Sequence, residues 1–153
     1  MIALLPDSLD APKSLAAFER KAKGAGAIVS FTGLVRPEGK NGVVTSLFLQ
    51  SHSPLTERGI RRAVEQARET WPLSHVDVLH RIGDIAPGDT IVFVATASTH
   101  RRAAFESADF LMDYLKTESY FWKKEITSTG AHWIEPRAED YKDRMRWTKK
   151  PEV

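Results

Sequence analysis

Two lysines carry the sharpest chemical signal in this chain of 153 residues. Lys116 lies in the run Asp113-Tyr114-Leu115-Lys116-Thr117, and Lys123 follows the aromatic residues Tyr120, Phe121 and Trp122 and begins Lys123-Lys124-Glu125. On a continuous helix their spacing puts both amines on one face, two turns apart. A lysine held against apolar bulk loses hydration, and its pKa falls toward a catalytic range. There the amine serves as general acid, general base or nucleophile. On spacing alone, a solvated helix face with its aromatics turned to the core is the stronger reading. A second signal is Ser98-Thr99-His100-Arg101-Arg102, which ends an apolar strand and opens a helix. A helix N-terminus already carries partial positive charge and free N–H groups, so added cations there favour a bound anion. Arginine suits bidentate contact with phosphate or carboxylate. An equal reading turns these side chains to water or pairs them with acids such as Glu106. Arg36, at a strand end beside a loop, is as often an ordinary surface arginine as a ligand contact. The same holds for Arg137 and for the tail cations Lys142, Arg144, Arg146, Lys149 and Lys150.

Other chemistries find no support. There is no cysteine, which excludes disulfides, thiolate metal sites and a cysteine nucleophile. The histidines at 52, 75, 80, 100 and 132 have no metal-binding spacing. His75 and His80 should lie on one strand and face opposite sides. No strand–elbow–helix G-x-S-x-G element and no Gly-rich nucleotide fingerprint occurs. No metal and no cofactor are expected. The net charge of +2 is low for general nucleic-acid affinity. No apolar run reaches 18 residues, and the start lacks a basic n-region, so the expectation is a cytoplasmic protein without membrane contact.

The segments that carry these residues have distinct local patterns. Asp10 caps a first helix with Pro12 in its first turn, and Leu15, Phe18 and Ala22 form its stripe. Gly26 to Val35 reads as a buried strand, Asn41-Gly42 as a turn, and Val43 to Leu49 as the returning strand of a long antiparallel hairpin. Ser53 caps the next helix with Pro54 as its first residue, and Ile60, Val64, Ala67 and Trp71 are its buried stripe. Val76, Val78, His80 and Ile82 alternate as a half-exposed strand. After a turn at Ala86-Pro87-Gly88-Asp89, the apolar run Thr90 to Ala97 predicts a central strand. Ser98 or Thr99 caps a long helix with Ala104, Phe105, Ala108, Leu111, Met112 and Leu115 on its apolar face. A second helical piece spans roughly Tyr120 to Ile126, and Trp133-Ile134 is a short last strand. Residues 1–137 form one domain, and 138–153 a polar, basic, mobile tail. Hairpin and helices together predict the α+β class.

Phe31-Thr32-Gly33-Leu34-Val35-Arg36, Trp71-Pro72-Leu73, His80-Arg81-Ile82-Gly83, Pro87-Gly88-Asp89, His100-Arg101, Phe105-Glu106, Met112 to Thr117 and Phe121 to Glu125 follow one another in this order. The ordered set resembles the large, catalytic subunits of molybdopterin synthase, the MoaE family, from about Gly24 to Arg137. The resemblance implies an α/β hammerhead fold and a homodimer of large subunits within a heterotetramer. It implies a partner, a small ubiquitin-like sulfur-carrier subunit whose C-terminal Gly-Gly tail is a thiocarboxylate. It implies a sulfurtransferase that passes sulfur twice to cyclic pyranopterin monophosphate, forming the dithiolene of molybdopterin. Carried over residue by residue, the catalytic lysines match Lys116 and Lys123. The substrate contacts match Arg36, His100, Arg101 and Arg137, the last reaching over from the other protomer. Phe31 and Met112 match apolar pocket residues, and Leu34, Val35, Lys124 and Glu125, within these motifs, are further substrate-binding positions. Two departures from the family pattern are Gln50-Ser51-His52 and Tyr120, the latter suggesting a helix that runs on smoothly between the lysines. An RNA- or acidic-protein-binding module, using His100-Arg101-Arg102 with Trp122 or Trp133 as stacking platforms, is the first rival reading; an assembly protein of this fold without catalysis and a different pterin or nucleotide enzyme using the same anion site are the others.

Overall fold

The run expected to be a central strand is one. In the computed structural model, which describes residues 1–118 and 121–148, Thr90–Ser98 lies between two antiparallel neighbours and is buried from Val92 onward. The strands are β1 (Ile2–Leu5), β2 (Ala27–Leu34), β3 (Glu38–Gly39), β4 (Gly42–Ser51), β5 (Leu73–Arg81), β6 (Gly83–Ile85), β7 (Thr90–Ser98), β8 (Phe121–Thr127) and β9 (Gly130–Ile134). The helices are α1 (Ala11–Lys21), α2 (Leu55–Thr70), α3 (Arg101–Thr117) and α4 (Ala138–Arg144), followed by a 3₁₀ turn at Met145–Trp147. The class is α+β, with two sheets. One has the order β1-β5-β7-β2; in the other β3-β4-β8-β9 are neighbours and β6 also pairs with β4. Among the described residues no helix is long and apolar enough to cross a membrane.

Alternation along β7 explains why the first sheet is covered on both sides. Val92 and Val94 pack with Ile60, Ala63, Val64 and Ala67 of α2 and Leu111, Tyr114 and Leu115 of α3. Phe93, Ala95 and Ala97 face the opposite way, toward Phe18 of α1 and Ala22 at its C-cap. Asp10 caps α1, its carboxylate accepting from the Lys13 amide at 2.9 Å. Phe18 is fully buried, and truncation of such a ring costs about 3–5 kcal/mol.

Several expectations are corrected here. The expected long hairpin does not form: β2 pairs with β7 in one sheet, and β4 pairs with β8 and β6 in the other. The Asn41-Gly42 signal survives only as a two-residue turn, in which Gly39 pairs with Gly42 and Gly42 takes φ of +112°. β2 is an edge strand, so Ser30, Phe31, Thr32 and Leu34 are exposed rather than buried. β5, expected to be half exposed, is buried from Val76 to Arg81 because β1 and β7 flank it and helices cover both faces. The buried Asp77 carboxylate is paired with the Met1 amine at 2.8 Å and Lys21 at 2.7 Å. Pro54, not Ser53, occupies the N-cap of α2. His100, not Ser98 or Thr99, occupies that of α3, and the Ser98 hydroxyl instead donates to the Pro72 carbonyl at 2.8 Å. On α3 Phe105 is exposed, while Ser107 and Tyr114 are buried.

The largest correction concerns the second lysine. The segment expected as a helix from Tyr120 to Ile126 is strand β8, paired with β4 and β9. Tyr120, and with it any smooth helical continuation, lies outside the described residues; α3 ends at Thr117. The segment after Ala138, expected as a mobile tail, is folded as α4 and the 3₁₀ turn up to Thr148. Asp113 on α3 holds it in place, accepting from Arg146 at 2.7 Å and from the Trp147 indole N–H at 2.6 Å. Trp147 also packs against Trp71 and Phe110.

Candidate functional site

The C-terminal end of α3, the loop after β2, one face of β8 and the start of α4 converge on a single cavity of about 350 Å³. α3 contributes Leu115, Lys116 and Thr117; the end of β2 and the loop after it contribute Leu34, Val35 and Arg36. β8 contributes Phe121, Lys123 and Glu125, three residues that alternate along the strand and therefore share one face. Glu135, Pro136, Arg137, Asp140 and Tyr141 close the far wall. Four of the lining residues are cations and three are carboxylates.

Lys123 has the environment that favours a reactive amine. Its side chain is partly buried. Desolvation by burial, then repulsion from Lys116, lower its pKa to about 8, against an opposing pull from Asp140. The two lysines thus come from different bodies, a helix end and a strand, yet sense each other's charge.

Asp140 is held by Arg137, whose backbone N–H donates at 2.8 Å and whose guanidinium donates at 3.3 Å. Burial alone would raise the Asp140 pKa. The hydrogen bonds from Arg137 and the charge of Lys116 outweigh it and keep the carboxyl below its ordinary value. Asp140 therefore stays an anion that fixes the Arg137 backbone. Glu125 is buried, with one carboxylate oxygen unpartnered and its carboxyl group packed against Gly39.

Of the residues singled out in the sequence, Leu34, Val35, Arg36, Lys116, Lys123, Glu125 and Arg137 line this cavity. Arg137, expected to reach over from another protomer, stands at the wall of its own chain's cavity. The others lie elsewhere. Lys124 points to the opposite face of β8, its amine 5.1 Å from the Trp133 ring centre and 5.6 Å from that of Phe48. Phe31 is exposed on the edge strand, and Met112 packs against the core between α2 and the first sheet. His100 and Arg101 are exposed at the far end of α3; Arg101 and Lys116 are about 22 Å apart along the helix axis.

Sequence reasoning missed His80, Phe121, Asp140 and Tyr141 as neighbours of the site. A signal for Asp140 was available: Glu139 and Asp140 after Pro136 are acidic residues suited to a first helical turn. For Phe121, the period-2 pattern Phe121, Lys123, Glu125 was the available signal.

Residues 6–118 match the family of the MoaE protein. The chain is 47% identical over 122 residues to the molybdopterin synthase catalytic subunit of Escherichia coli (strain K12), covering 80% of this chain and 81% of that protein. Its structure is similar to that of the molybdopterin biosynthesis MoaE protein from Burkholderia ambifaria MC40-6. The TM-score is 0.81 at 36% identity, over 97% of this chain and 98% of that one. It also shares its fold with a chain from the protein–protein complex of subunits 1 and 2 of molybdopterin-converting factor from Helicobacter pylori 26695. There the TM-score is 0.76 at 20% identity, over 89% of this chain and 91% of that one. With the ordered motifs and the two-sheet fold in agreement, the chain belongs to the MoaE family, the catalytic subunits of molybdopterin synthase, and is an enzyme of molybdenum-cofactor biosynthesis.

Proposed function

We propose that the cavity between α3, β8 and α4 is the sulfur-transfer site. Here the thiocarboxylate tail of a small ubiquitin-like subunit meets cyclic pyranopterin monophosphate, and sulfur passes twice to form the dithiolene. The observation that carries this reading is the convergence of Lys116 and Lys123 on one open cavity walled by Arg36 and Arg137. Both reactants are anionic, and the cavity offers four cations. The chain has no cysteine, so the sulfur must arrive on a carrier. The subunit complex described for the Helicobacter pylori relative is in keeping with such a partner.

Lys116 stabilises negative charge on the reacting thiocarboxylate and is the principal catalytic group. Lys123, with its pKa near 8, carries the proton traffic, since a sizeable fraction of its amine is neutral at mildly alkaline pH. Arg36 and Arg137 bind anionic groups of the substrate. His100 and Arg101 join the site from a second copy of the chain, because α3 separates them from their own Lys116 by its whole length. The homodimer implied by the family supplies that copy.

The test is turnover with a thiocarboxylated small subunit and cyclic pyranopterin monophosphate, scored as the fluorescent oxidised product. Wild-type protein should form product, and a folded Lys116→Ala variant should form none. Near-wild-type turnover by the variant would remove Lys116 from the mechanism. No product from wild type, with the partner shown to bind, would remove the sulfur-transfer reading.

A further inference from the structure

His80 is a buried titratable group that lies beside the site and has no part in the mechanism above. It stands on β5 in the first sheet and is 4% exposed. Its Nδ1 lies 2.8 Å from the Arg81 carbonyl oxygen. A carbonyl only accepts, so Nδ1 carries the proton and donates. The imidazole stacks on Phe121, with ring centres 4.1 Å apart and planes 22° apart. Phe121 opens β8 in the second sheet and also lines the cavity. Two residues on, on the same face of β8, is Lys123.

Lys116 rides on α3, which packs on the first sheet; Lys123 rides on the second. The aim of one amine relative to the other therefore depends on how the two sheets are joined behind the cavity. The His80–Phe121 stack is a direct side-chain joint at that place, and the hydrogen bond to Arg81 fixes the plane of the imidazole.

We propose that His80 is a positioning residue for sulfur transfer. Through Phe121 it sets β8 so that the Lys123 amine faces Lys116 across the cavity, with water kept from behind it. The role rests on the assignment of the two lysines given above.

The electrostatics agree. Burial, then the charges of Lys123 and Lys116, hold the His80 pKa at about 4, against the opposing hydrogen bond to Arg81. His80 is thus neutral at neutral pH. The groups around Lys123 are Lys116 from α3, Asp140 and Tyr141 from α4, Glu135 and Arg137 from the segment before α4, Arg36 after β2, Glu125 on β8, and His80 from β5. Replacing His80 by a neutral residue changes none of these charges at neutral pH. Any change in the proton affinity of Lys123 must then come through packing and water.

Competitive labelling of amines with acetic anhydride across pH, read by mass spectrometry on the intact chain, measures that affinity. Turnover against pH is measured in parallel, with Lys116→Ala and Lys123→Ala as controls. In His80→Ala the Lys123 pKa should rise by about one unit or more toward its ordinary value. Turnover at pH 8 should fall about fivefold per first unit of that rise and recover at higher pH. Phe121→Leu, at a partly buried position that lines the cavity, should shift Lys123 the same way, and the double variant should move it little further. His80→Gln keeps a donor for the Arg81 carbonyl but no stacking ring, and should fall between. An unmoved Lys123 in the folded variants, with turnover lowered equally at every pH, would reduce His80 to core packing and overturn the proposal. Wild-type protein without product would overturn the sulfur-transfer reading and this role with it. Product that depends on both lysines, beside an unmoved Lys123, would overturn His80 alone.

Discussion

Lys123 combines a catalytic opportunity with a cost to folding, and both follow from its lowered pKa. The unfolded chain keeps the lysine proton up to about 10.5, whereas the folded chain releases it near 8. Between those values unfolding takes up a proton, so stability rises with pH; below 8 the folded state bears the full cost of the confined charge. Lys123→Met should therefore be more stable than wild type at pH 7, by about 1–3 kcal/mol, with the difference gone above about pH 10.5. Urea unfolding at both pH values checks this, and equal stability at pH 7 would refute it. His80 works in the opposite pH range. The unfolded chain gains its imidazole proton near 6.5 and the folded chain only near 4, so stability is lost as pH falls through that window. His80→Gln should flatten the loss between pH 6.5 and 4, read as a shallower fall of the urea midpoint than in wild type.

At the level of elements, β8 and α4 decide which side chains share the cavity. A helix over residues 120–126 would have set Lys123 in line with Lys116 and left Lys124 on its flank. The strand turns Lys123 and Glu125 to the cavity and Lys124 away to Trp133. Trp, Lys and Glu fit either conformation. Pairing with β4 settled the matter, and strand preference is largely this kind of neighbour effect. Gly39 belongs to the same design, since a Cβ there would run into the Glu125 carboxyl group. α4 reaches the cavity because its far end is tied to α3 by Asp113, Arg146 and Trp147. Asp113→Ala removes the shared acceptor, worth about 1–3 kcal/mol to the docking of this segment. The expected result is faster hydrogen exchange over residues 138–147 and a several-fold higher KM for the pterin, with kcat less affected. Unchanged exchange would show that the ring contacts of Trp147 hold the segment without Asp113.

For the whole molecule, the separation of His100 and Arg101 from Lys116 means that the proposed site needs a second copy of the chain to be complete. Neither end of α3 alone holds the full set of cations that the family resemblance implies. If the missing pair comes from a second copy, two inactive variants should complement each other. Lys116→Ala and Arg101→Ala, mixed in equal amounts and allowed to exchange, should recover about a quarter of wild-type turnover, because half the dimers are mixed and each mixed dimer has one intact site. No recovery, with exchange shown by mass spectrometry, would show that Arg101 does not complete the site of a second copy.

Composition and local pattern were enough for the α+β class, the central strand β7, the capped helix α1 and the last strand β9. Each rests on interactions between residues near in sequence or on an unbroken apolar run. The motifs likewise sufficed for the family, and they singled out Lys116, Lys123, Arg36 and Arg137, which line one cavity. Long-range packing determined that β2 and β4 part into different sheets, that β8 is a strand, and that His80 lies behind Phe121. It also decided that the segment after Ala138 closes the cavity wall. All four depend on partners 30 or more residues away: β7 for β2, β4 for β8, Phe121 for His80, and Asp113 for Arg146 and Trp147. Burial and pairing at that range arise from chain packing, which local periodicity does not encode.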